Sequence, residues 1–167
     1  MPPSDSPESC PHCRRSLDPG AEFCPECGEL ALDGVVCIHH PGSEAIGACV
    51  ICSAPYCAAC GRRRRGIFLC RDHQDYEIYQ GMVRVYGVSD EAQARYAASC
   101  LEQEGLHAFV YLRKASPISL GGPEYTLFRA SGEFDGHIIN EVKVMVPLPE
   151  ALKAEEILRE LGILGGT

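Results

Sequence analysis

The sequence predicts small cysteine-rich modules in its first half, followed by an α+β domain in its second half. Three observations lead to this fold class. Of the eleven cysteines, all but Cys100 lie between Cys10 and Cys70, and most occur as pairs with two residues between the members. Beyond residue 81, the apolar residues instead follow the periods of strands and helices. The chain of 167 residues is also long enough for more than one small domain.

Composition and charge restrict the function classes. The net charge of −8 disfavours general nucleic-acid binding. No apolar run approaches the ~20 residues that cross a bilayer, and residues 1–9, which we expect to be a disordered lead-in, lack a signal-peptide pattern. We therefore expect a cytoplasmic protein without membrane contact. In a reducing cytoplasm, paired cysteines predict metal sites and not disulfides.

Residues 10–36 contain the first two pairs. Two residues between ligands let a tight turn aim both side chains at one metal, and zinc takes four such ligands. The pattern resembles a short zinc ribbon, with a proline in each turn and Gly28 after the second. Iron is the alternative metal for four cysteines, but the short gap between the pairs favours zinc. We expect His12 to point to solvent. The predicted ligands are Cys10, Cys13, Cys24 and Cys27.

Residues 37–73 contain four more pairs with the same internal spacing. Eight ligands predict two closed tetrahedral sites. His39 is an alternative to His40, but the spacing of two favours His40. Tyr56 and Phe68 are expected to fill the space between the metals. The pairs are Cys37 with His40, Cys49 with Cys52, Cys57 with Cys60, and Cys70 with His73.

This stretch resembles a B-box-type zinc finger, whose bacterial versions commonly continue the first pair as His-Pro, as His40-Pro41 does here. The resemblance implies a cross-brace, in which alternate pairs share a metal. One Zn²⁺ would then bind Cys37, His40, Cys57 and Cys60, and the other Cys49, Cys52, Cys70 and His73. Together with the ribbon, this predicts three zinc ions per chain.

Four consecutive arginines, Arg62, Arg63, Arg64 and Arg65, lie between Cys60 and Cys70, in what we expect to be a loop. One interpretation is a solvated loop whose charge offsets the negative zinc–thiolate centres. The other is a docking patch for an acidic protein partner. The sequence leaves both open.

Residues 74–81 are expected to form a linker, and residues 82–167 an α+β domain. Met82–Val88 alternates as a strand. Ser89 is the predicted N-cap of a helix that runs to about Glu104 and ends at Gly105. Cys100 falls in the apolar pattern of that helix, so we expect it to be a small buried hydrophobe.

Two further strands are predicted at Leu106–Arg113 and at Glu141–Val146, the latter closed by Pro147. A last helix starts at Leu148-Pro149-Glu150. Its apolar face is Ala151, Ala154, Ile157, Leu158 and Leu161. In the order β-α-β-β-α, a helical crossover joins two parallel strands and leaves room for the third strand between them. The segment Ser116–His137 either holds an extra strand at Tyr125–Ala130 or forms a long loop.

This order predicts a ferredoxin-like domain. The region also resembles a small prokaryotic family of signal-transducing proteins whose fold is similar to PII and ACT regulatory domains. Three motifs carry the resemblance: the strand Met82–Val88, the helix end Leu101–Leu106, and Val142–Pro147 before the last helix.

We expect no enzyme activity, because the chain has no phosphate-binding glycine loop and no nucleophile elbow. All twelve predicted ligands are used in closed sites, and His107 and His137 have no recognisable catalytic partner in the sequence. The predicted function is that of a zinc-binding interaction or regulatory protein with a protein partner. Nucleic-acid binding through the arginines and small-molecule sensing by the C-terminal domain are the alternatives. Exposed sheet edges also suggest a homodimer.

Overall fold

The computed structural model describes residues 9–112 and 141–165. The chain divides into two compact units, one of Met1–Val83 with Leu148–Leu152, the other of Arg84–Pro147 with Lys153–Thr167. In the described residues the fold is an α+β mix of small sheets and two helices, which confirms the fold class at this level. The module boundaries suggested by the sequence stay predictions.

The first unit contains two small antiparallel sheets. In one, β1 (Gly47–Ala48) pairs with β2 (Pro55–Tyr56). In the other, β3 (Gly61–Arg64) pairs with β4 (Ile67–Cys70) over all four residues. Short strands are expected here, because the closely spaced cysteines leave few residues between turns.

The loop expected at Arg62–Arg65 is therefore wrong, since the first three of these arginines belong to β3. Arg65 and Gly66 form the two-residue turn of the hairpin, with φ of 50° and 83°. Positive φ at both central residues is the geometry that suits the twist of a hairpin. Arginine is not a typical residue for the first of these positions, so no hairpin could be predicted from the sequence.

The linker expected at residues 74–81 also contains a strand. β5 (Ile78–Tyr79) pairs with the start of β6 (Met82–Val88) across a second turn with positive φ at Gln80 and Gly81. A strand of two residues is too short to show periodicity. β6 itself has the predicted bounds.

Helix α1 (Glu91–Gln103) is capped by Asp90, and the prediction of Ser89 is wrong. The Asp90 carboxylate accepts a hydrogen bond from the Ala92 amide at 2.7 Å. At the other end, Gly105 has φ of 79°. The Leu106 amide donates to the Leu101 carbonyl at 3.0 Å, which closes a Schellman motif. Leu106 therefore belongs to the C-terminal cap of α1 and does not begin a strand.

The remaining elements are β7 (Phe109–Leu112), β8 (Val142–Pro147) and α2 (Ala151–Glu160), which follows a single 3₁₀ turn. The four strands are ordered β5-β6-β8-β7, and β7 is antiparallel to β8. The position of β8 between β6 and β7 confirms the predicted strand order. Pro147 was predicted to follow the last strand, but it is the final residue of β8. Ser116–His137 and the strand proposed at Tyr125–Ala130 lie outside the described residues.

The second unit has a conventional apolar core. One face of α1, alternate residues at the start of β6 and most residues of β8 are buried, among them Leu101, Val85 and Val144. In α2, Ala154 and Leu158 are fully buried, whereas Leu161 lies beyond the end of the helix and is 51% exposed, contrary to prediction. Cys100 is only half-buried. No helix within the described ranges is long and apolar enough to span a membrane.

Candidate metal centres

The structure gathers all twelve predicted ligands into three groups of four, in each of which the donor atoms lie within 4.8 Å of one another. We name them centre A, centre B and centre C in chain order. The grouping in centres B and C is the alternation that the B-box resemblance implies. Centre A is Cys10, Cys13, Cys24 and Cys27; centre B is Cys37, His40, Cys57 and Cys60; centre C is Cys49, Cys52, Cys70 and His73.

The same backbone turn positions the first cysteine of several pairs. The carbonyls of Cys10, Cys24 and Cys49 each accept a hydrogen bond from the amide four residues later in the chain, at 2.7–2.9 Å. The donors are Arg14, Gly28 and Ser53, and each has a positive φ between 61° and 76°. Of these three residues, only Gly28 is of a type that predicts a positive φ from the sequence. The hydrogen bond folds the chain back, so both sulfurs of a pair point to one side.

The distances within centre A suit a tetrahedral metal. The sulfurs of Cys10 and Cys27 lie 3.6 Å apart, and those of Cys13 and Cys24 also lie 3.6 Å apart. A tetrahedron with Zn–S bonds of ~2.3 Å has edges of about 3.8 Å. A disulfide would bring two sulfurs to ~2.05 Å, and all eleven cysteines are free.

Centres B and C each add one imidazole, and in both it is Nδ1 that faces the sulfurs. In centre B, Nδ1 of His40 lies 3.2–3.8 Å from its three sulfurs. In centre C, Nδ1 of His73 lies 3.6 Å from Cys49 Sγ and 3.1 Å from Cys70 Sγ. His39, the alternative to His40, instead packs edge-on against Tyr56, with ring centroids 5.3 Å apart.

Each centre contains one thiol whose pKa is lowered and at least one whose pKa is raised, so one thiolate is available as a first metal ligand. Burial opposes ionisation of Cys10, but the amides of Cys13 and His12 lower its pKa to about 7. Burial likewise opposes ionisation of Cys37, and nearby amides lower its pKa to about 6. A hydrogen bond from Cys49 is the main reason that the pKa of Cys52 falls to about 4.

Two aromatic rings support centre C from outside the ligand set. The Tyr56 hydroxyl lies 3.5 Å from Cys52 Sγ, and burial raises the pKa of this tyrosine well above its usual value. Tyr76 packs edge-on against His73 at 5.3 Å. Phe68 and Tyr56 are both buried, and their role in filling the space between two metals stays a prediction. Such contacts fix the orientation of a ligand and its hydrogen-bonding state.

The chain around centre A has almost no core apart from the ligands. Its buried cluster consists of Cys10, Cys24 and Cys27, with Cys13 and Leu17 packed against them. Thiols contribute little apolar area, so this cluster alone cannot offset the entropy of ordering the chain. A metal bound by four thiolates would supply that free energy.

The four arginines have different environments. Arg63 turns toward the chain around centre A, where Nη1 donates to the Cys27 carbonyl at 3.1 Å and Nη2 pairs with Glu29. Arg62 and Arg64 lie on the opposite face of β3 and both contact Gln74. Arg65 is exposed at the turn. Side chains alternate between the two faces of a strand, which explains why Arg63 differs from Arg62 and Arg64. The difference could have been predicted if the sequence had indicated a hairpin here. His12 is exposed, as expected.

Comparison with protein-family models, with curated proteins and with solved structures found no match to this chain. The geometry alone therefore defines what the centres can do. Each places four soft or borderline donors within 4.8 Å of one another, and four protein donors suit a structural metal better than a catalytic one, because a catalytic zinc keeps one position open.

Proposed function

We propose that this protein binds three structural zinc ions and uses its zinc-stabilised unit as a rigid surface for an acidic protein partner. The observation that carries the proposal is the closed four-donor geometry of all three centres. Thiolate and imidazole donors in tetrahedral sets favour Zn²⁺ over hard cations such as Mg²⁺ or Ca²⁺. The C-terminal α+β domain would add a second contact or a sensing function.

The surface we propose for docking is the outer face of the β3–β4 hairpin. Arg62 donates to the Gln74 side-chain oxygen, and Arg64 to the Gln74 carbonyl, both at 2.7 Å. A guanidinium has five N–H donors, so one such bond leaves others for a partner. Arg63 is excluded from this surface by its contacts with the ribbon. The proposed docking residues are therefore Arg62, Arg64 and Arg65.

A recess beside these arginines supports the same use. It has a volume of about 200 Å³, and two cationic side chains, Arg62 and Arg71, lie at its rim. Arg71 had no predicted role. The apolar side chains of Ala58, Ala59 and Leu69 line the recess as well. An acidic side chain would place its methylenes against these residues and its carboxylate against a guanidinium, whose planar fork matches carboxylate geometry.

The test compares two pairs of arginines that are adjacent in sequence. Arg64→Ser/Arg65→Ser removes charge from the hairpin, and Arg14→Ser/Arg15→Ser removes the same charge from the ribbon. Each pair contains one residue with positive φ, Arg65 or Arg14, so the backbone change is matched as well. The probes are a labelled polyglutamate peptide and a single-stranded DNA of equal charge, with binding measured by fluorescence anisotropy at low and high salt.

We expect only the hairpin variant to bind polyglutamate about tenfold more weakly, with a smaller loss at high salt. Elemental analysis should give three zinc ions per chain in the wild type and in both variants, because no ligand is changed. Equal affinity of the two variants would contradict the docking surface. Tighter and more salt-dependent binding of the DNA would favour the nucleic-acid alternative instead.

A further inference from the structure

The second turn of the ribbon lies directly against the strands that carry the ligands of centre C. The Ala48 amide donates to the Gly28 carbonyl at 2.9 Å, and the Phe68 amide donates to the Cys27 carbonyl at 2.9 Å. Ala48 immediately precedes Cys49, and Phe68 lies two residues before Cys70. Two backbone hydrogen bonds therefore join the last ligand region of centre A to the chain beside two ligands of centre C.

Gly28 fits this contact for two reasons. Its φ is 76°, a conformation that side chains with a Cβ disfavour. A Cβ at this position would also overlap the carbonyl oxygen of Ala48 and lie 2.8 Å from the Cβ of Phe68. The backbone of the ribbon thus approaches β1 and β4 as closely as a glycine allows. Any larger residue would have to move the ribbon away from centre C.

Arg63 adds a third connection. Its guanidinium donates to the Cys27 carbonyl, which the Phe68 amide also contacts, and to the Gly66 carbonyl at 3.3 Å. The same side chain pairs with Glu29, one residue beyond Gly28. Both ionic partners are about 30% exposed. Arg63 therefore connects the β3–β4 hairpin to Cys27, which is both a ligand of centre A and a hydrogen-bond acceptor.

From these contacts we infer that centres A and C bind metal cooperatively, with Gly28 and Arg63 as the residues that couple them. A metal in centre A fixes the Cys27 and Gly28 carbonyls in the positions that β1 and β4 require. Loss of that metal frees those carbonyls and removes the acceptors of the Ala48 and Phe68 amides. By linkage, the metal in centre C favours centre A equally. This coupling requires metal in the centres but does not depend on the docking surface.

The test is a double-mutant cycle on the full chain. Cys13→Ser removes a ligand from centre A, and Gly28→Ala removes the coupling contact without touching a ligand. Metal release into excess chromogenic chelator is followed after loading with Co²⁺, whose absorption distinguishes a four-sulfur centre from a three-sulfur, one-nitrogen centre. Hydrogen exchange of β1 and β4 then assigns the response to centre C, and exchange near His40 serves as the reference for centre B.

We expect Cys13→Ser to speed metal release from centre C about tenfold, within the usual range of coupling between sites. In the Gly28→Ala background, the same substitution should have little further effect. Gly20→Ala is the matched control, because Gly20 has a φ of 83° but nothing within 4 Å of its added Cβ. It carries the same backbone strain without the contact.

Arg63→Ser, compared with Arg62→Ser, keeps the inference testable if Gly28→Ala does not fold. We expect Arg63→Ser to accelerate release from both centres A and C, and Arg62→Ser to leave both rates unchanged. Unchanged exchange of β1 and β4 in Cys13→Ser would overturn the inference. Equal release rates for Arg63→Ser and Arg62→Ser would overturn the assignment of Arg63.

Discussion

The two units of this chain bury different kinds of side chain. In the first unit, cysteine is the most frequent buried residue type, and the larger buried side chains include Phe68, Leu69 and Tyr56. In the second, most of the buried side chains are aliphatic, with Leu101, Val144 and Leu158 among them, and Glu141 is the buried charged residue in the described part of the unit. A thiol contributes stability chiefly through a bound metal, whereas an aliphatic side chain contributes through burial alone. The comparison predicts opposite responses to the same perturbations.

Removal of metal is the largest expected difference. Excess chelator should abolish the protection of β1–β4 against hydrogen exchange, because their turns depend on the three centres. The protection of α1 and β8 should persist, because their core contains no predicted ligand. Hydrogen exchange with mass spectrometry on the full chain measures both at once. Simultaneous loss of protection in α1 would show that the two units do not fold independently.

Truncation of the aliphatic core should give the converse result. Leu158→Ala removes a side chain with no exposed surface and should lower the free energy of unfolding by about 2–4 kcal/mol. Metal content should stay the same. Leu161→Ala is the control, since this residue is half-exposed and its truncation should change stability by less than about 0.5 kcal/mol. Chemical denaturation of the metal-loaded protein provides the values, and equal effects of the two would contradict the observed end of α2.

The smallest predicted effect concerns the start of α1. Asp90→Ala removes the carboxylate that accepts the Ala92 amide and should cost about 1 kcal/mol. Ser89→Ala should be nearly neutral, although the sequence favours Ser89 as the cap. The same denaturation measurement compares the two. A larger loss for Ser89→Ala would restore the cap predicted from the sequence.

The units also differ in how well their sequences predict them. In the first, the spacing of two between ligands identified all twelve residues of the centres, because a short turn and a tetrahedral metal impose that spacing. In the second, periodicity located β6 and both helices, but element ends shifted where local hydrogen bonds competed. Leu106 illustrates this, because an apolar residue after a glycine suits a helix end and a strand start equally well.

The sequence by itself determined the ligands, the number of centres and the alternation of strands and helices, since these depend on spacing and periodicity along the chain. Tertiary structure alone decided what the arginines do. The positive φ of Arg65 lets residues 61–70 form a hairpin, and the pleat of β3 then directs Arg63 toward Cys27 while Arg62 and Arg64 face the other side. Four consecutive arginines have no sequence pattern that distinguishes one from another. Only the tertiary structure, which brings Cys27 and Glu29 close to Arg63, shows which partners Arg63 has.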